Sequence, residues 1–218
     1  VDGADPVDYS LYVITSADYA GRTHEEVAAA ALAGGATILQ LRDKRMSAAA
    51  LYQVACRLRE LTRRAGVPLI VNDRVDVAVA ADADGVHLGP DDLPLAAARK
   101  VLGPRRIIGA SVDSVAEAIR AEREGADYLG VGPVFATATK PDAGTAVGVQ
   151  TVAAIVRAVG IPVVGIGGIT AATAAEVVRA GAAGVAVISA VAAAVDMTSA
   201  ARAVLEAVRA GRRGRAAV

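Results

Sequence analysis

Short apolar runs alternate with helical stretches along the whole chain. The runs Leu11 to Thr15, Thr37 to Leu41, Pro68 to Asn72, Gly85 to Leu88, Arg106 to Ser111, Tyr128 to Val134, Ile161 to Ile166 and Gly184 to Ser189 all have strand length. They are close to continuously apolar, as expected of parallel strands whose two faces are both covered. Repeated strand–helix units of this kind, about eight of them, predict an α/β fold and specifically a closed (β/α)8 TIM barrel. An open doubly wound sheet has the same alternation but gathers its ligands at one switch point. Here polar motifs follow almost every run at its C-terminal end, which favours the barrel.

Helix boundaries support the segmentation. Ala33-Gly34-Gly35-Ala36, Glu124-Gly125-Ala126-Asp127 and Ala180-Gly181-Ala182-Ala183 each precede a strand, and Ala83-Asp84-Gly85 does so without the earlier glycine. A glycine just past a helix permits a left-handed cap. Thr23, Ser47, Ser114 and Thr170 are expected N-caps, with Ser114 and Glu117 at capping-box spacing.

The second run breaks its own apolar pattern. In Ala36-Thr37-Ile38-Leu39-Gln40-Leu41-Arg42-Asp43-Lys44, the polar residues Gln40, Arg42 and Lys44 fall on alternate positions and therefore on one face. An amide and two cations on that row cost desolvation energy unless an anionic ligand satisfies them. Carboxylates appear where the next runs end, in Val71-Asn72-Asp73-Arg74 and Gly89-Pro90-Asp91-Asp92-Leu93-Pro94. Two carboxylates from neighbouring strand ends suit a hard divalent ion such as Mg²⁺, shared with substrate phosphates. Arg42, Lys44 and Lys140 would take up the remaining phosphate charge.

After the sixth run, Gly130 to Gly144 forms a connection longer than an ordinary βα loop, whose Thr137, Thr139 and Lys140 suit phosphate or carboxylate oxygens. Gly165-Ile166-Gly167-Gly168 and Val187-Ile188-Ser189-Ala190 end the last two runs, where barrels commonly bind phosphate. His24 reads as a solvated residue of a first helical turn, and His87 as a ring satisfied by a neighbouring backbone group. No Ser/His/Asp arrangement is visible, which argues against a hydrolytic triad.

Length and composition narrow the picture further. The 218 residues contain no Pro/Ser-rich linker, so one domain is expected over 1–218, with fraying at 1–8 and at 211–218, which includes Arg212-Arg213-Gly214-Arg215. Composition is 54% hydrophobic but only 3% aromatic, so the core must come from Ala, Val, Leu and Ile. The 23 basic residues balance 23 acidic ones, and no basic stretch is interleaved with aromatics, so neither nucleic acid nor membrane is expected as a partner. A single cysteine, Cys56, falls in a helical pattern and reads as packing; with no leader or long apolar span evident, a cytoplasmic location is expected.

Taken in order, Gln40-Leu41-Arg42-Asp43-Lys44, Val71-Asn72-Asp73-Arg74, Gly85-Val86-His87-Leu88-Gly89, Gly130-Val131-Gly132-Pro133-Val134-Phe135 with Thr137, Thr139 and Lys140, and Gly165-Ile166-Gly167-Gly168-Ile169 resemble the thiamine phosphate synthase family. The resemblance runs from Tyr12 to about Ile188. It implies a Mg²⁺-dependent transferase that joins 4-amino-5-hydroxymethyl-2-methylpyrimidine diphosphate to a thiazole phosphate, giving thiamine phosphate and diphosphate. By matching motif, Gln40, Arg42, Lys44, Asn72, Ser111 and Lys140 would hold the pyrimidine diphosphate, Leu41 and Asp43 would belong to the substrate-binding set with them, and Asp73 and Asp92 would bind the metal. Thr137, Ala138, Thr139, Gly168, Ile188 and Ser189 would hold the thiazole phosphate. Arg42, Lys44, Ser111 and Lys140 would be the catalytic groups.

Two positions depart from the family: Asp113 stands where a histidine is frequent, and Pro90 where a glutamine is. The competing readings are a thiazole tautomerase of the same architecture and a non-catalytic barrel that binds a phosphorylated ligand. The first needs no diphosphate and metal site, which Gln40, Arg42, Lys44, Asp73 and Asp92 would supply.

Overall fold

The computed structural model describes residues 7–16, 19, 21–137 and 144–216. Within them the chain runs β1 (Leu11–Thr15), α1 (His24–Ala33), β2 (Ile38–Leu41), α2 (Ala48–Ala65), β3 (Leu69–Asn72), α3 (Val75–Ala80), β4 (Gly85–Leu88), α4 (Leu95–Leu102) and β5 (Ile107–Val112). It continues α5 (Val115–Arg123), β6 (Tyr128–Val131), α6 (Gly148–Ala158), β7 (Val163–Ile166), α7 (Ala174–Arg179), β8 (Gly184–Val187), α8 (Ser189–Ala192) and α9 (Met197–Ala216). Each strand pairs in parallel with the next, and β8 closes on β1 through Leu11↔Val185. The protein is therefore the expected closed (β/α)8 barrel, and the open sheet is excluded.

Alternation along the strands builds two separate cores. Leu11, Val13, Leu39, Leu41, Leu69, Val71, Val86, Ile108, Leu129 and Val185 face the helices. Tyr12, Ile14, Ile38, Ile70, Tyr128, Val164 and Ala186 fill the barrel interior. Tyr9, Tyr12 and Tyr128 are the bulkiest interior residues, and Tyr128 needs empty space on the neighbouring strand. A Cβ on Gly109 would lie 2.1 Å from Cζ of Tyr128, a ring with 1% exposure and no route of retreat. Gly109→Ala is thus expected to destabilise the protein by about 3 kcal/mol or more through overpacking, read as a lower urea midpoint at unchanged m-value.

Several boundaries are set by interactions invisible to periodicity. Thr23 and Glu26 form the reciprocal capping box, with the Glu26 carboxylate accepting from Thr23 N–H at 2.7 Å. Ser114 does cap α5, but Glu117 reaches back one residue further, to the N–H of Asp113. Thr170 is not an N-cap: α7 begins only at Ala174, and Thr170 N–H donates to the Thr173 hydroxyl at 3.0 Å. Residues before alternate strands tie the barrel's lower rim. Thr37, Asp84 and Asp127 accept from the N–H of Leu11, Leu69 and Ile108 at 3.0, 2.8 and 2.7 Å.

The expected fraying at 211–218 is corrected for 211–216, which continue α9. Arg212 donates to the Ala183 carbonyl at 2.5 Å and pairs with Asp8 at 3.7 Å, so α9 and the segment before β1 meet on the barrel's lower rim. Cys56 is half-buried against the helix-facing core, as its pattern predicted. Among the described residues no helix is long and apolar enough to cross a membrane.

Candidate active site

A cavity of about 310 Å³ opens at the C-terminal ends of the strands. Strand parity explains what lines it. In β2, Ile38 and Gln40 point into the barrel, so continuing the alternation past Leu41 aims Arg42 and Lys44 at the mouth, where both line the cavity. The same parity turns Asp43 away. Its Oδ1 accepts from the N–H groups of Arg45 and Met46 at 2.8 and 3.0 Å, and its Oδ2 lies 3.4 Å from Nε2 of His24.

His24 is therefore not a solvated surface residue. It is 2% exposed, with Nδ1 2.8 Å from the Thr15 hydroxyl, and it braces the segment that carries the two cations. Its partners are 9 and 19 residues away in sequence, which local pattern could not reveal. Three residues of the Gln40–Lys44 group also lie elsewhere than expected. Leu41 is fully buried against the helices, Asp43 is turned toward His24, and Gln40 sits beneath the cavity with its amide Nε2 donating to Tyr12 OH at 2.7 Å.

Asn72 and Asp73 enter the cavity from the end of β3, and Asp92 from the turn after β4. Asp73 adopts a positive φ of 62°, a conformation that Asp and Asn tolerate better than other side chains, and its N–H donates to the His87 carbonyl at 2.9 Å. Asp92 is fixed by accepting the Gly89 N–H on Oδ2 at 2.7 Å. The Asp73 and Asp92 carboxyls are in hydrogen-bonding contact. Burial, and then the hydrogen bond and charge of Asp92, push the Asp73 carboxyl up to about 6, against the opposing pull of Lys44 and Arg42.

This pair costs stability when both groups are ionised. The folded value of about 6 exceeds the ordinary 3.8, so the native state holds the extra proton between those limits, and stability falls as pH rises through that window. Screening at a half-buried site leaves an effect of about 1 kcal/mol. Asp73→Asn retains the tolerated backbone conformation and is expected to melt about 2–4 °C higher than the parent at pH 8 in chelator. The advantage should vanish near pH 4; calorimetry at the two pH values checks it.

Ser111 of β5, Thr137 of the long connection, Gly168 after β7, and Ile188 and Ser189 after β8 also line the cavity. Ala138, Thr139 and Lys140 lie outside the described residues. Gly167 and Gly168 have a packing reason beyond phosphate approach. A Cβ on Gly167 would meet Pro133 at 2.6 Å and one on Gly168 the Ala136 carbonyl at 2.7 Å, because the connection folds directly over them. Phe135 N–H donates to the Gly167 carbonyl at 3.0 Å.

His87 is the residue that sequence reasoning undervalued. Its ring meets two side chains, with Nδ1 2.9 Å from Tyr128 OH and Nε2 2.9 Å from Ser111 Oγ, and it lines the cavity. The alternation in β4, Gly85 and His87 inward, was the available signal. Pro90 and Asp91 also line the cavity, whereas Asp113 does not.

A closed parallel barrel with cations, a carboxylate pair and hydroxyls converging on one cavity at its upper rim defines a barrel enzyme whose mouth is suited to anionic substrates. The family model described as thiamine monophosphate synthase matches residues 11–191. The thiamine-phosphate synthase of Chloroflexus aurantiacus is 57% identical over 164 residues, covering 75% of this chain and 76% of its own. That of Haloarcula marismortui is 53% identical over 167 residues, 75% and 79% of the two chains. Among solved structures, thiamine phosphate pyrophosphorylase from Pyrococcus furiosus superposes with a TM-score of 0.88 at 44% identity, covering 94% of this chain and 98% of that one. The chain belongs to the thiamine monophosphate synthase family and is a transferase.

Proposed function

We propose that this mouth joins 4-amino-5-hydroxymethyl-2-methylpyrimidine diphosphate to a thiazole phosphate, in its plain or carboxylated form, with thiamine phosphate and diphosphate as products. The observation that carries the proposal is the convergence of Arg42, Lys44, Asn72, Ser111 and the Asp73–Asp92 pair on one cavity whose other wall is Thr137, Gly168, Ile188 and Ser189. The first group suits a diphosphate. The second suits a single phosphate.

Asp73 and Asp92 would hold Mg²⁺. The fit rests on two neighbouring hard-oxygen donors, one of them with its proton affinity raised by burial and then by the other, an arrangement that a dication relieves. Mg²⁺ keeps waters and shares substrate phosphate oxygens, so a pair of protein carboxylates is enough to anchor it. When bound, it supplies charge neutralisation at the diphosphate.

The protein's own groups do the rest. Arg42 and Lys44, with Lys140 from the long connection, receive the negative charge that grows on the departing diphosphate. Ser111 and Asn72 orient the pyrimidine diphosphate by hydrogen bonds, and Gln40 closes the floor beneath it. The Ile188-Ser189 and Gly168 turns, with Thr137, Ala138 and Thr139, hold the thiazole phosphate so that its ring nitrogen faces the pyrimidine methylene carbon. The C–O bond to diphosphate breaks, the C–N bond forms, and no protein nucleophile is needed. A cytoplasmic location fits the single cysteine.

Initial rates of diphosphate release, measured with each substrate alone and with both, test the proposal. Release that requires both is expected. Equal release from the pyrimidine diphosphate alone would make the protein a hydrolase, and isomerisation of the thiazole phosphate alone would favour the tautomerase.

A further inference from the structure

Four side chains link the barrel floor to the cavity in one unbroken series that ends on Ser111. Gln40 Nε2 donates to Tyr12 OH at 2.7 Å, Tyr12 OH and Tyr128 OH are 2.8 Å apart, and His87 bridges Tyr128 OH and Ser111 Oγ at 2.9 Å on each side. We propose that this series runs in one direction only, that it holds His87 as its Nε2–H tautomer, and that it thereby turns the Ser111 hydroxyl proton into the cavity. His87 is then a positioning residue acting through Ser111. The inference rests on the reading of Ser111 as a substrate-binding hydroxyl and extends it.

The direction follows from counting protons. An amide nitrogen only donates, so the Tyr12 oxygen accepts from Gln40, and the proposed order has Tyr12 give its own proton to the Tyr128 oxygen 2.8 Å away, where a buried hydroxyl hydrogen finds an acceptor. Tyr128 then gives its own proton to His87 Nδ1. A ring nitrogen that accepts carries no hydrogen, which leaves the ring proton on Nε2, where it is donated to Ser111 Oγ. The serine oxygen receives this proton, and its own hydrogen points elsewhere. Ser111 is exposed toward the cavity at the end of β5.

Both phenols are in a position to enforce this order. Tyr12 and Tyr128 are each 1% exposed in the barrel interior, and burial raises both well above the usual phenol value, so each keeps its single proton. The rings stack in a tilted series, with Tyr12 and His87 centroids 5.8 and 5.5 Å from that of Tyr128. Two strands give up side chains to make room for the series. A Cβ on Gly130 would come within 2.9 Å of His87 Cε1, just as one on Gly109 would strike Tyr128.

The reverse polarity has different chemistry. If Gln40 presented its oxygen to Tyr12, every bond would invert, His87 would carry its proton on Nδ1, and Ser111 would donate into the ring as an activated nucleophile does. A transfer in which diphosphate departs without a covalent enzyme intermediate needs a serine that donates to substrate instead. Gln40 Nε2 as the donor gives that arrangement.

Two-bond ¹H–¹⁵N spectra of the ¹⁵N-labelled chain read the tautomer directly. The chain has two histidines, and a His87→Gln spectrum assigns their signals. A single Nε2–H pattern for His87 is expected. An Nδ1–H pattern, or averaging between the two, would overturn the proposal. In Tyr128→Phe the ring remains while the proton donor to Nδ1 is lost. The tautomer should become mixed and kcat should fall about tenfold, the worth of one reoriented hydrogen bond, with the KM for thiazole phosphate unchanged. A fixed Nε2–H tautomer and parental kcat in that variant would also refute it. Because the spectra need no substrate, they judge the tautomer whatever the substrates prove to be.

Discussion

Asp92→Asn is expected to lower kcat/KM by about 100- to 1000-fold at millimolar Mg²⁺, the usual cost of losing one group that stabilises developing charge. The asparagine oxygen can still accept the Gly89 N–H that Asp92 now accepts at 2.7 Å, so the turn after β4 should survive. What is lost is negative charge beside Asp73. Higher Mg²⁺ should restore part of the rate, whereas the KM for thiazole phosphate, whose binding residues lie across the cavity, should stay near the parental value. Rates measured across a Mg²⁺ titration, with both substrates varied, check this; an unchanged titration would remove Asp92 from the metal site.

A comparable loss is expected from Arg42→Met. The methionine keeps much of the length of the side chain and loses its charge, so about 3 kcal/mol of transition-state stabilisation should disappear. Because charge on the departing diphosphate grows toward the transition state, kcat should fall more steeply than pyrimidine diphosphate binding weakens. Arg42 also pulls the Asp73 carboxyl downward. Its removal should therefore weaken Mg²⁺ affinity near pH 6 more than at pH 8, where Asp73 is ionised in either protein. A variant with parental kcat would leave the leaving group to Lys44 and Lys140.

The strands and their order were legible because each is a short apolar run between glycine-marked helix ends, and β1 and β4 have the bounds that the pattern gave. Later runs were read too long. Pro133 and Val134 follow β6 as apolar residues because they fold over the end of β7, where Pro133 covers Gly167 and Val134 N–H donates to the Ile166 carbonyl at 2.8 Å. The mouth was legible from parity at Arg42 and Lys44, whereas Asn72 and Ser111 entered through the family resemblance. It was misread where partners come from distant elements. His24 is buried by Thr15 and Asp43, and Arg212 of α9 is held by its contact with Ala183. His87 needed Tyr128, forty-one residues away, to become visible as part of the site.

Identification of the product tests the central claim most directly. The purified chain, with its fold verified by circular dichroism, is mixed with the pyrimidine diphosphate, the thiazole phosphate and Mg²⁺, and the products are resolved by liquid chromatography and mass spectrometry. Thiamine phosphate and diphosphate in equal amounts are predicted. Recovery of both substrates intact, or of the hydrolysed pyrimidine alcohol in place of thiamine phosphate, would contradict the account.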